Sequence, residues 1–392
     1  MSIVINGGGV VGVFLALILS RLTKGKMRIN LISAHLFEDA KHPSFDSRTI
    51  ALTWGTYSAL DSIGIWSFLS PYATVIKKIE ISNYLNNGKI IISASDYKLL
   101  FLGYVIELRK IKLSLLDLLC CSLNIKLYCP AILKKVERKD NVNKVVLDDG
   151  SEICSKLLVV ADGSHSSLAF KCGIRWDKYN YRQIAVISNI ITTLPHNYSA
   201  FEKFTEYGSL ALLPIAHGHS SLIWCCPEKW KEEISSWKIQ QFCKVLQDIL
   251  GMRLGLIMDT GQRNYYSLCS YIVEKPIAHR LVLIGNAAQT LHPFAGQGLN
   301  LSLRDVMALA KVLAAASVRG DDIGDYVVLN KYYQNRILDR KITVNYIDKI
   351  VRLFSDRRCP LILFRNLGFF VVSHSSLLHN LFKQFIFSWI VR

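Results

Sequence analysis

The segment GGGVVG at residues 7–12 constrains the fold of this chain more than any other part of its sequence. A short strand pattern at residues 3–6 precedes it, a mostly apolar helical run follows at 13–21, and a second strand pattern occupies 28–33. This order predicts a strand, a glycine-rich turn, a helix and a second strand, which make a βαβ unit of about 30 residues. We therefore predict a nucleotide-binding α/β fold at the N-terminus.

The spacing of these glycines matches the G-x-G-x-x-G pattern of dinucleotide-binding turns. Gly7 permits the tight turn, Gly9 lets the backbone approach a pyrophosphate, and Gly12 lets the helix pack close to the strand. The amides at the helix N-terminus, beginning with Val10 and Val11, then face the phosphates. The alternative is a glycine-rich turn in some other α/β fold, which the strand-helix-strand context disfavours.

The second predicted strand departs from the dinucleotide-binding pattern at its carboxyl end. Ser33 stands where an acidic residue is expected to bind the ribose hydroxyls. A serine hydroxyl has one oxygen, so it cannot accept hydrogen bonds from both ribose hydroxyls as the two oxygens of a carboxylate can. Glu38 is close in sequence and is an alternative ribose ligand. We expect either weaker adenosine binding or compensation elsewhere in the site.

Two kinds of strand pattern alternate along the chain. Strand patterns typical of a parallel sheet buried on both faces occur at 3–6, 28–33, 157–161 and 281–284, and the run at 157–161 is continuously apolar. Hairpin patterns occur at 76–104, with the turn Asn86-Asn87-Gly88, and at 131–148, and short strands dominate 175–272. Helical patterns occur at 49–70, 109–124 and from 297 onward. The simplest architecture is a nucleotide-binding domain built from separated segments, with an antiparallel-sheet domain inserted into it.

Two further groups of polar and small residues follow predicted buried strands. The first, Asp162-Gly163, comes after the third strand. The second follows the fourth strand and contains Gly285-Asn286-Ala287, His292-Pro293 and Gly296-Gln297-Gly298-Leu299-Asn300. Ligands bind at the carboxyl ends of strands in open α/β sheets. We therefore expect both groups to lie beside the glycine turn in one ligand site.

With these motifs in this order, the whole chain resembles the flavin-dependent aromatic hydroxylases of the para-hydroxybenzoate hydroxylase type. The resemblance implies an α/β fold with a Rossmann-like FAD-binding domain of the GR2 type, an inserted antiparallel-sheet substrate domain and a helical C-terminus. We expect FAD-binding segments at 1–75, 106–174 and 273–340, a substrate-domain hairpin at 76–105, the substrate domain at 175–272 and C-terminal helices at 341–392.

The same resemblance implies roles for the motif residues. Asp162-Gly163 serves both FAD and NAD(P)H, and Gly285-Asn286-Ala287 holds the ribityl chain. Asn286 replaces the family's aspartate, and its amide can still bond to a ribityl hydroxyl. The segment from Gly296 to Asn300 lies at a helix N-terminus beside the isoalloxazine ring. Arg48 matches the arginine near the FAD phosphates, and Arg109 stands where a flavin-contacting side chain is expected.

A closer resemblance, to the 2-polyprenyl-6-methoxyphenol hydroxylases of ubiquinone biosynthesis, rests on segments 43–52, 285–293 and 301–305. It implies that a lipophilic polyprenyl phenol is hydroxylated to the 1,4-benzoquinol. The resemblance also implies that NAD(P)H reduces FAD, that O₂ adds at flavin C4a, and that the hydroperoxide hydroxylates the ring, while the protein supplies orientation and a dry pocket. The alternatives are another ring position of the same pathway, another flavoprotein such as a prenyl-chain reductase, and a flavin-binding scaffold subunit with weak catalysis.

No nucleophile–base triad is evident, as expected if a cofactor carries the chemistry. His292 and Pro293 are expected near the flavin. His292 could tune the flavin or assist proton movement, but we favour a turn residue that hydrogen-bonds the backbone. The cysteines show no metal-ligand spacing.

The formal net charge is +17 at pH 7, but the lysines are scattered and no nucleic-acid motif occurs. We therefore predict no nucleic-acid partner, and weak attraction to a membrane surface. Apolar residues at helical spacing, which could touch a membrane or pack in the core, occur near the C-terminus at Leu378, Leu381, Phe382, Phe385, Ile386, Trp389 and Ile390. We expect a cytoplasmic protein, peripheral on the inner face of the membrane, with partners in a ubiquinone-biosynthesis complex.

Overall fold

The structure is a computed structural model that describes residues 1–35, 48–83, 86–164, 166–205 and 208–355, and residues 381, 383, 384, 386, 387, 390 and 391. The helices are α1 (Val10–Leu22), α2 (Trp54–Ser62), α3 (Trp66–Leu69), α4 (Leu108–Cys120), α5 (Ser167–Lys171), α6 (Lys231–Ser236), α7 (Ile239–Leu250), α8 (Gln297–Arg319) and α9 (Tyr326–Ser355). Several residues considered above lie outside the described residues: Glu38, the segment 43–47, Leu378, Phe382, Phe385 and Trp389.

The strands are β1 (Ser2–Asn6), β2 (Arg28–Ile32), β3 (Thr49–Thr53), β4 (Thr74–Ile76), β5 (Lys78–Asn83), β6 (Asn86–Ser93), β7 (Gly103–Glu107), β8 (Ile125–Tyr128), β9 (Leu133–Arg138), β10 (Asn143–Leu147), β11 (Glu152–Ser155), β12 (Leu157–Val160), β13 (Asp177–Thr192), β14 (Ser199–Thr205), β15 (Gly208–Pro214), β16 (Ser220–Pro227), β17 (Ile257–Thr260), β18 (Asn264–Ile272), β19 (Ile277–Ala278), β20 (Leu281–Leu283) and β21 (Gln289–Thr290).

The four predicted apolar strands lie in one six-stranded sheet, in the order β19-β20-β12-β1-β2-β8. β1 pairs in parallel with β12 on one side and β2 on the other, and β20 and β8 extend the sheet in parallel. Every residue of β12 is buried, as a strand covered on both faces requires. The parallel sheet is confirmed, and β8 joins it although its sequence did not suggest this.

A second, nine-stranded sheet is mostly antiparallel and follows the order β21-β18-β13-β16-β15-β14-β5-β6, with β17 beside β13. The hairpin β5–β6 joins this sheet through a parallel pairing of β5 with β14. Helix α7 covers one face, where Trp224, Cys226 and Phe242 share a hydrophobic cluster. Cys225 points to the opposite face, because successive residues of a strand alternate sides.

Two local predictions were wrong. Residues 49–53, predicted to be helical, form β3, because they pair with β7 over the whole length of the strand. A Cβ atom on Gly103 of β7 would lie 2.3 Å from the carbonyl oxygen of Leu52, so this close pairing requires glycine. In the hairpin of the second sheet, Asn86 of β6 pairs with Asn83 of β5, so Asn86 belongs to the strand and not to the predicted turn.

Buried ion pairs fix the position of α8 against α9. Arg336 of α9 contacts Asp305 of α8 with an Nε–Oδ1 distance of 2.6 Å, and Asp305 also accepts a 2.6 Å hydrogen bond from Gln289. Arg304 of α8 contacts Asp339 of α9 at 2.9 Å. This network holds α8 in place, and the N-terminus of α8 forms part of the site described below.

The described C-terminal residues pack against the protein. Phe387 stacks on Tyr97 with ring centroids 3.7 Å apart, Lys383 Nζ lies 3.0 Å from the Asp96 carboxylate, and Ile390 is buried. These contacts favour core packing for this part of the stretch. Within the ranges given above, the helices are too short or too polar to cross a membrane.

Candidate functional site

The glycine turn lies directly against the Asp162 segment. Gly7 has a φ of +130°, and a Cβ atom there would lie 2.3 Å from the carbonyl oxygen of Ala161. A Cβ atom on Gly12 would lie 2.0 Å from the carbonyl oxygen of Gly7. Asn6 Nδ2 donates a 3.1 Å hydrogen bond to Asp162 Oδ2. The ends of β1 and β12 therefore meet at a point where only glycine fits.

The N-terminus of α1 has no side-chain cap, because Gly9 occupies the capping position. Its first turn begins with Val10 and Val11 and contains no acidic residue. The amides of this turn can therefore bind an anion, as a pyrophosphate requires. Ser33, at the end of β2, is buried and donates a 2.8 Å hydrogen bond to the carbonyl of His35, so its hydroxyl can offer a ribose only its acceptor lone pairs.

Asp162 is a titratable group beside the glycine turn. The Ser166 hydroxyl donates a 2.9 Å hydrogen bond to its Oδ2 atom. Crowding by protein atoms raises the pKa of Asp162 to about 6, even though part of the residue faces solvent, and the Ser166 hydrogen bond opposes this rise. Gly163 follows with a φ of +97° and open space where a Cβ atom would be.

The Gly285 segment lies over the first turn of α1. Gly285 has a φ of +62°, and a Cβ atom there would lie 3.1 Å from the side chain of Val11. Asn286 is exposed, so its amide can reach a ligand, whereas Ala287 is buried and its carbonyl accepts a 3.1 Å hydrogen bond from Trp176. The three predicted motifs, at residues 7–12, 162–163 and 285–287, therefore meet in one place.

The segment from Gly296 to Asn300 begins α8, with Gly298 and Leu299 in the first turn. Gly296 caps the helix in the left-handed conformation, φ +59°, and no side chain caps the helix. Asn300 is buried and engaged by protein: Oδ1 accepts from the Thr53 amide and the Thr56 hydroxyl, and Nδ2 donates to the carbonyls of Ala51 and Gly296. Asn300 thus ties α8 to β3 and α2, a role that the sequence did not reveal.

Gln297 carries an orphaned polar atom at this site. The residue is 4% exposed, and its Oε1 atom finds no hydrogen-bond partner within the described part of the chain. Buried polar atoms are normally paired, so an unpaired acceptor at a helix start fits a ligand that carries an N–H group. With the open amides of α1 and the crowded glycine turn, these residues fit a flavin dinucleotide.

Arg48 and Arg109 lie at the same end of the small sheet β3-β7-β4, since the amide of Leu108 donates a 2.8 Å hydrogen bond to the Arg48 carbonyl. The Arg48 guanidinium lies 5.1 Å from the ring centroid of Tyr266 in the nine-stranded sheet. Arg109 is largely exposed and pairs with Glu107 at 2.7 Å. Arg48 thus lies between the small sheet and the nine-stranded sheet, and Arg109 lies at the surface.

His292 occupies the structural position that we favoured. It is buried, its Nδ1 accepts a 3.3 Å hydrogen bond from the Phe294 amide, and its Nε2 lies 3.0 Å from Gln183 Oε1. Burial lowers the pKa of His292 to about 3, so the ring is neutral at pH 7. Pro293 lines the cavity described next, and His292 does not.

An apolar cavity of about 330 Å³ lies between the nine-stranded sheet, the start of α8 and the C-terminal residues. Its walls include isoleucines from both sides, namely Ile79, Ile81, Ile90, Ile223, Ile350, Ile386 and Ile390. Among the described residues that line it, Glu202 supplies the carboxylate. Sequence reasoning missed Glu202, although its alternation with Ala200 and Phe204 on an otherwise apolar face was a usable signal.

Comparison with known proteins agrees with this geometry. The sequence profile of a family described as FAD binding domain matches residues 1–337. The chain is 30% identical to a ubiquinone hydroxylase, UbiL, of Rhodospirillum rubrum over 98% of this chain and 88% of that protein. It is 28% identical to the 3-demethoxyubiquinol 3-hydroxylase of Escherichia coli over 96% of each.

Among solved structures, the p-nitrophenol 4-monooxygenase PnpA of Pseudomonas putida has the same fold. Its TM-score is 0.80 at 17% sequence identity, and the similarity covers 99% of this chain and 98% of that chain. The predicted α/β fold, with its parallel nucleotide-binding sheet and inserted antiparallel sheet, is therefore confirmed.

Proposed function

Since this chain belongs to the FAD-binding-domain family and is an FAD-dependent aromatic-ring hydroxylase, we propose that its substrate is a lipophilic polyprenyl phenol of ubiquinone biosynthesis. The reaction proposed is hydroxylation of 2-polyprenyl-6-methoxyphenol to the 1,4-benzoquinol. One observation carries the proposal: the isoleucine-lined cavity beside the start of α8.

The cavity matches such a substrate in chemistry. An isoprenoid tail is entirely apolar, and burying it against aliphatic side chains contributes about 25 cal/mol for each Å² removed from water. Ile386 and Ile390 close one wall from the C-terminal residues, while Ile81 and Ile90 close the sheet side. A small polar phenol without a tail would leave this surface unfilled.

Several segments would hold the cofactor. The glycine turn and Arg48 would bind the pyrophosphate, Asn286 the ribityl chain, and the segment from Gly296 to Gln297 the flavin ring. When bound, FAD supplies the redox chemistry. NAD(P)H gives two electrons, and O₂ gives one oxygen atom to the ring and the other to water. The apolar walls exclude water from the reacting ring.

The test is turnover by the purified full chain loaded with FAD. We expect O₂ consumption driven by NADH or NADPH to rise when a short-chain 2-prenyl-6-methoxyphenol is added, and not with the same phenol lacking the tail. Mass spectrometry and NMR of the product identify the new hydroxyl. Protein that binds FAD but shows no substrate-stimulated turnover would instead be a flavin-binding scaffold subunit.

A second candidate function is hydroxylation at another ring position of the same pathway. The relative named 3-demethoxyubiquinol 3-hydroxylase favours this alternative, because its name gives a different position. Deleting the gene and identifying the accumulated quinone precursor distinguishes the two. Accumulation of 2-polyprenylphenol, one step earlier, would overturn the position proposed here.

The lipophilic substrate and the net charge of +17 also support peripheral attachment to the inner face of the membrane, with partners in a ubiquinone-biosynthesis complex. Co-flotation with vesicles tests the attachment. Binding should require anionic lipid and weaken with salt, whereas equal binding to neutral vesicles would contradict an electrostatic attachment.

A further inference from the structure

Glu202 occupies an unusual place in the cavity wall. It lies on β14, and its direct cross-strand neighbours are Ile81 of β5 and Ala211 of β15. The same row continues to Ile90 on β6 and Ile223 on β16. All five residues line the apolar cavity, so a carboxylate stands in the middle of a row of aliphatic side chains.

A carboxylate in such surroundings is costly unless it is protonated or hydrogen-bonded. The described partner is the Ser209 hydroxyl, one donor for a group that can accept about four hydrogen bonds. Glu202 therefore has acceptor capacity that a ligand hydroxyl in the cavity can use.

Among the described residues that line the cavity, Tyr346 is the other titratable group, while Arg48 lies farther along the same face over the Tyr266 ring. Burial raises the pKa of the Cys225 thiol on β16, and burial raises the pKa of Tyr346, which lines the cavity from α9, to about 12. The charged residues Lys203 and Glu80 occupy the alternate positions of β14 and β5, which face the other side of the sheet. Within the described lining of the cavity, Glu202 therefore titrates without a charged neighbour.

We propose that Glu202 is a catalytic base of this site, whose carboxylate accepts the proton of the substrate's phenolic hydroxyl during ring hydroxylation. This role rests on the proposed function, since it requires a phenol in the cavity. Although Glu202 keeps some solvent contact, burial raises its pKa to about 7, and the Ser209 hydrogen bond opposes the rise. A general base is most effective when its pKa lies near the working pH.

The proton transfer has a simple balance. The phenolic O–H bond breaks, the proton moves to a carboxylate oxygen of Glu202, and the electron pair stays on the phenolic oxygen. That pair is shared with the ring carbons ortho and para to the hydroxyl, which become more nucleophilic towards the oxygen atom that O₂ supplies. Once the new C–O bond has formed, the C–H bond at that ring carbon breaks and its proton returns to the phenolic oxygen, which makes the ring aromatic again. The proton held by Glu202 is consumed as the second oxygen atom becomes water.

The test compares kcat against pH in the wild type and in Glu202→Gln. We expect wild-type kcat to rise with pH through an inflection near 7, because the base works when deprotonated. Glu202→Gln should lose this inflection and about 100-fold or more of kcat at high pH. Glu202→Asp, which keeps a carboxylate, should restore the inflection and part of the rate.

Two further variants separate this role from a general effect on the sheet. Ser209→Ala removes the hydrogen bond that lowers the Glu202 pKa, so its inflection should move to higher pH. Glu80→Gln removes a buried carboxylate that pairs with Arg253 at 3.0 Å on the other face, so it should keep the wild-type inflection. Infrared difference spectra of the FAD-free protein should show a carboxyl C=O band that disappears as the pH rises and that Glu202→Gln lacks.

The outcomes distinguish the two proposals. Suppose that the wild type turns over the prenyl phenol and that Glu202→Gln keeps the same pH profile with a kcat within about threefold of wild type. That result would refute the catalytic base and leave the proposed function intact. An inflection that stays in place in Ser209→Ala would also refute it. A wild type that turns over no prenyl phenol would refute the proposed function and this role with it.

Discussion

Replacing Asn300 with alanine tests whether this residue is a structural tie or a flavin ligand. Asn300 is 1% exposed, and its side chain makes four hydrogen bonds to protein, at 3.0 Å to the Thr53 amide, 2.8 Å to the Thr56 hydroxyl, 2.7 Å to the Ala51 carbonyl and 2.8 Å to the Gly296 carbonyl. Alanine would leave all four partners without this amide.

The expected cost follows from those four bonds. Each intramolecular hydrogen bond contributes about 0.5–1.5 kcal/mol net, and a partner left buried and unpaired costs about 1–3 kcal/mol. Because some partners can regain water, we expect Asn300→Ala to lower the free energy of unfolding by roughly 2–5 kcal/mol. The loss should be present without FAD, since every partner belongs to the protein.

The assay is urea denaturation of the FAD-free protein, followed by titration with FAD. Asn335, an exposed residue of α9, offers a matched control, and Asn335→Ala should change stability by less than about 0.5 kcal/mol. Unchanged stability of FAD-free Asn300→Ala, together with a large loss of FAD affinity, would refute the structural role and restore the cofactor contact predicted from the sequence.

Three further changes test other parts of the structure. Gly7→Ala places a Cβ atom 2.3 Å from the Ala161 carbonyl at a φ of +130°. The variant should be destabilised by well over about 1 kcal/mol and should lose the absorbance of bound flavin. A stable, yellow variant would contradict the close approach. The pKa of His292 is lowered from 6.5 to about 3, so the folded protein should lose stability as the pH falls below 6.5, by up to about 1.4 kcal/mol per pH unit. In His292→Gln, the denaturation midpoint should depend less on pH over this range. Asp305→Asn breaks the buried pair with Arg336 and should cost about 3–5 kcal/mol in chemical denaturation, and a loss below about 1 kcal/mol would mean that the pair is not buried as described.

The candidate site was predictable to the extent that its residues follow strands. Gly7, Asp162 and Gly285 each come after a strand of the parallel sheet, and the carboxyl ends of parallel strands meet at one edge. The roles of single side chains were less accessible. Asn300 and Ser33 were predicted to touch the cofactor, yet their hydrogen bonds to protein depend on β3 and on the loop after β2.

By itself, the sequence determined the parallel sheet and the glycine turn, because apolar runs and glycine spacing express local requirements of burial and backbone geometry. Only the tertiary structure decided the cavity and its carboxylate. Ile81 and Glu202 are far apart in the chain, and a parallel pairing of β5 with β14 makes them neighbours. Strand register between distant segments depends on how the whole sheet packs, so the pattern of β14 indicates an apolar face around Glu202 but not the isoleucines of the other strands that surround it.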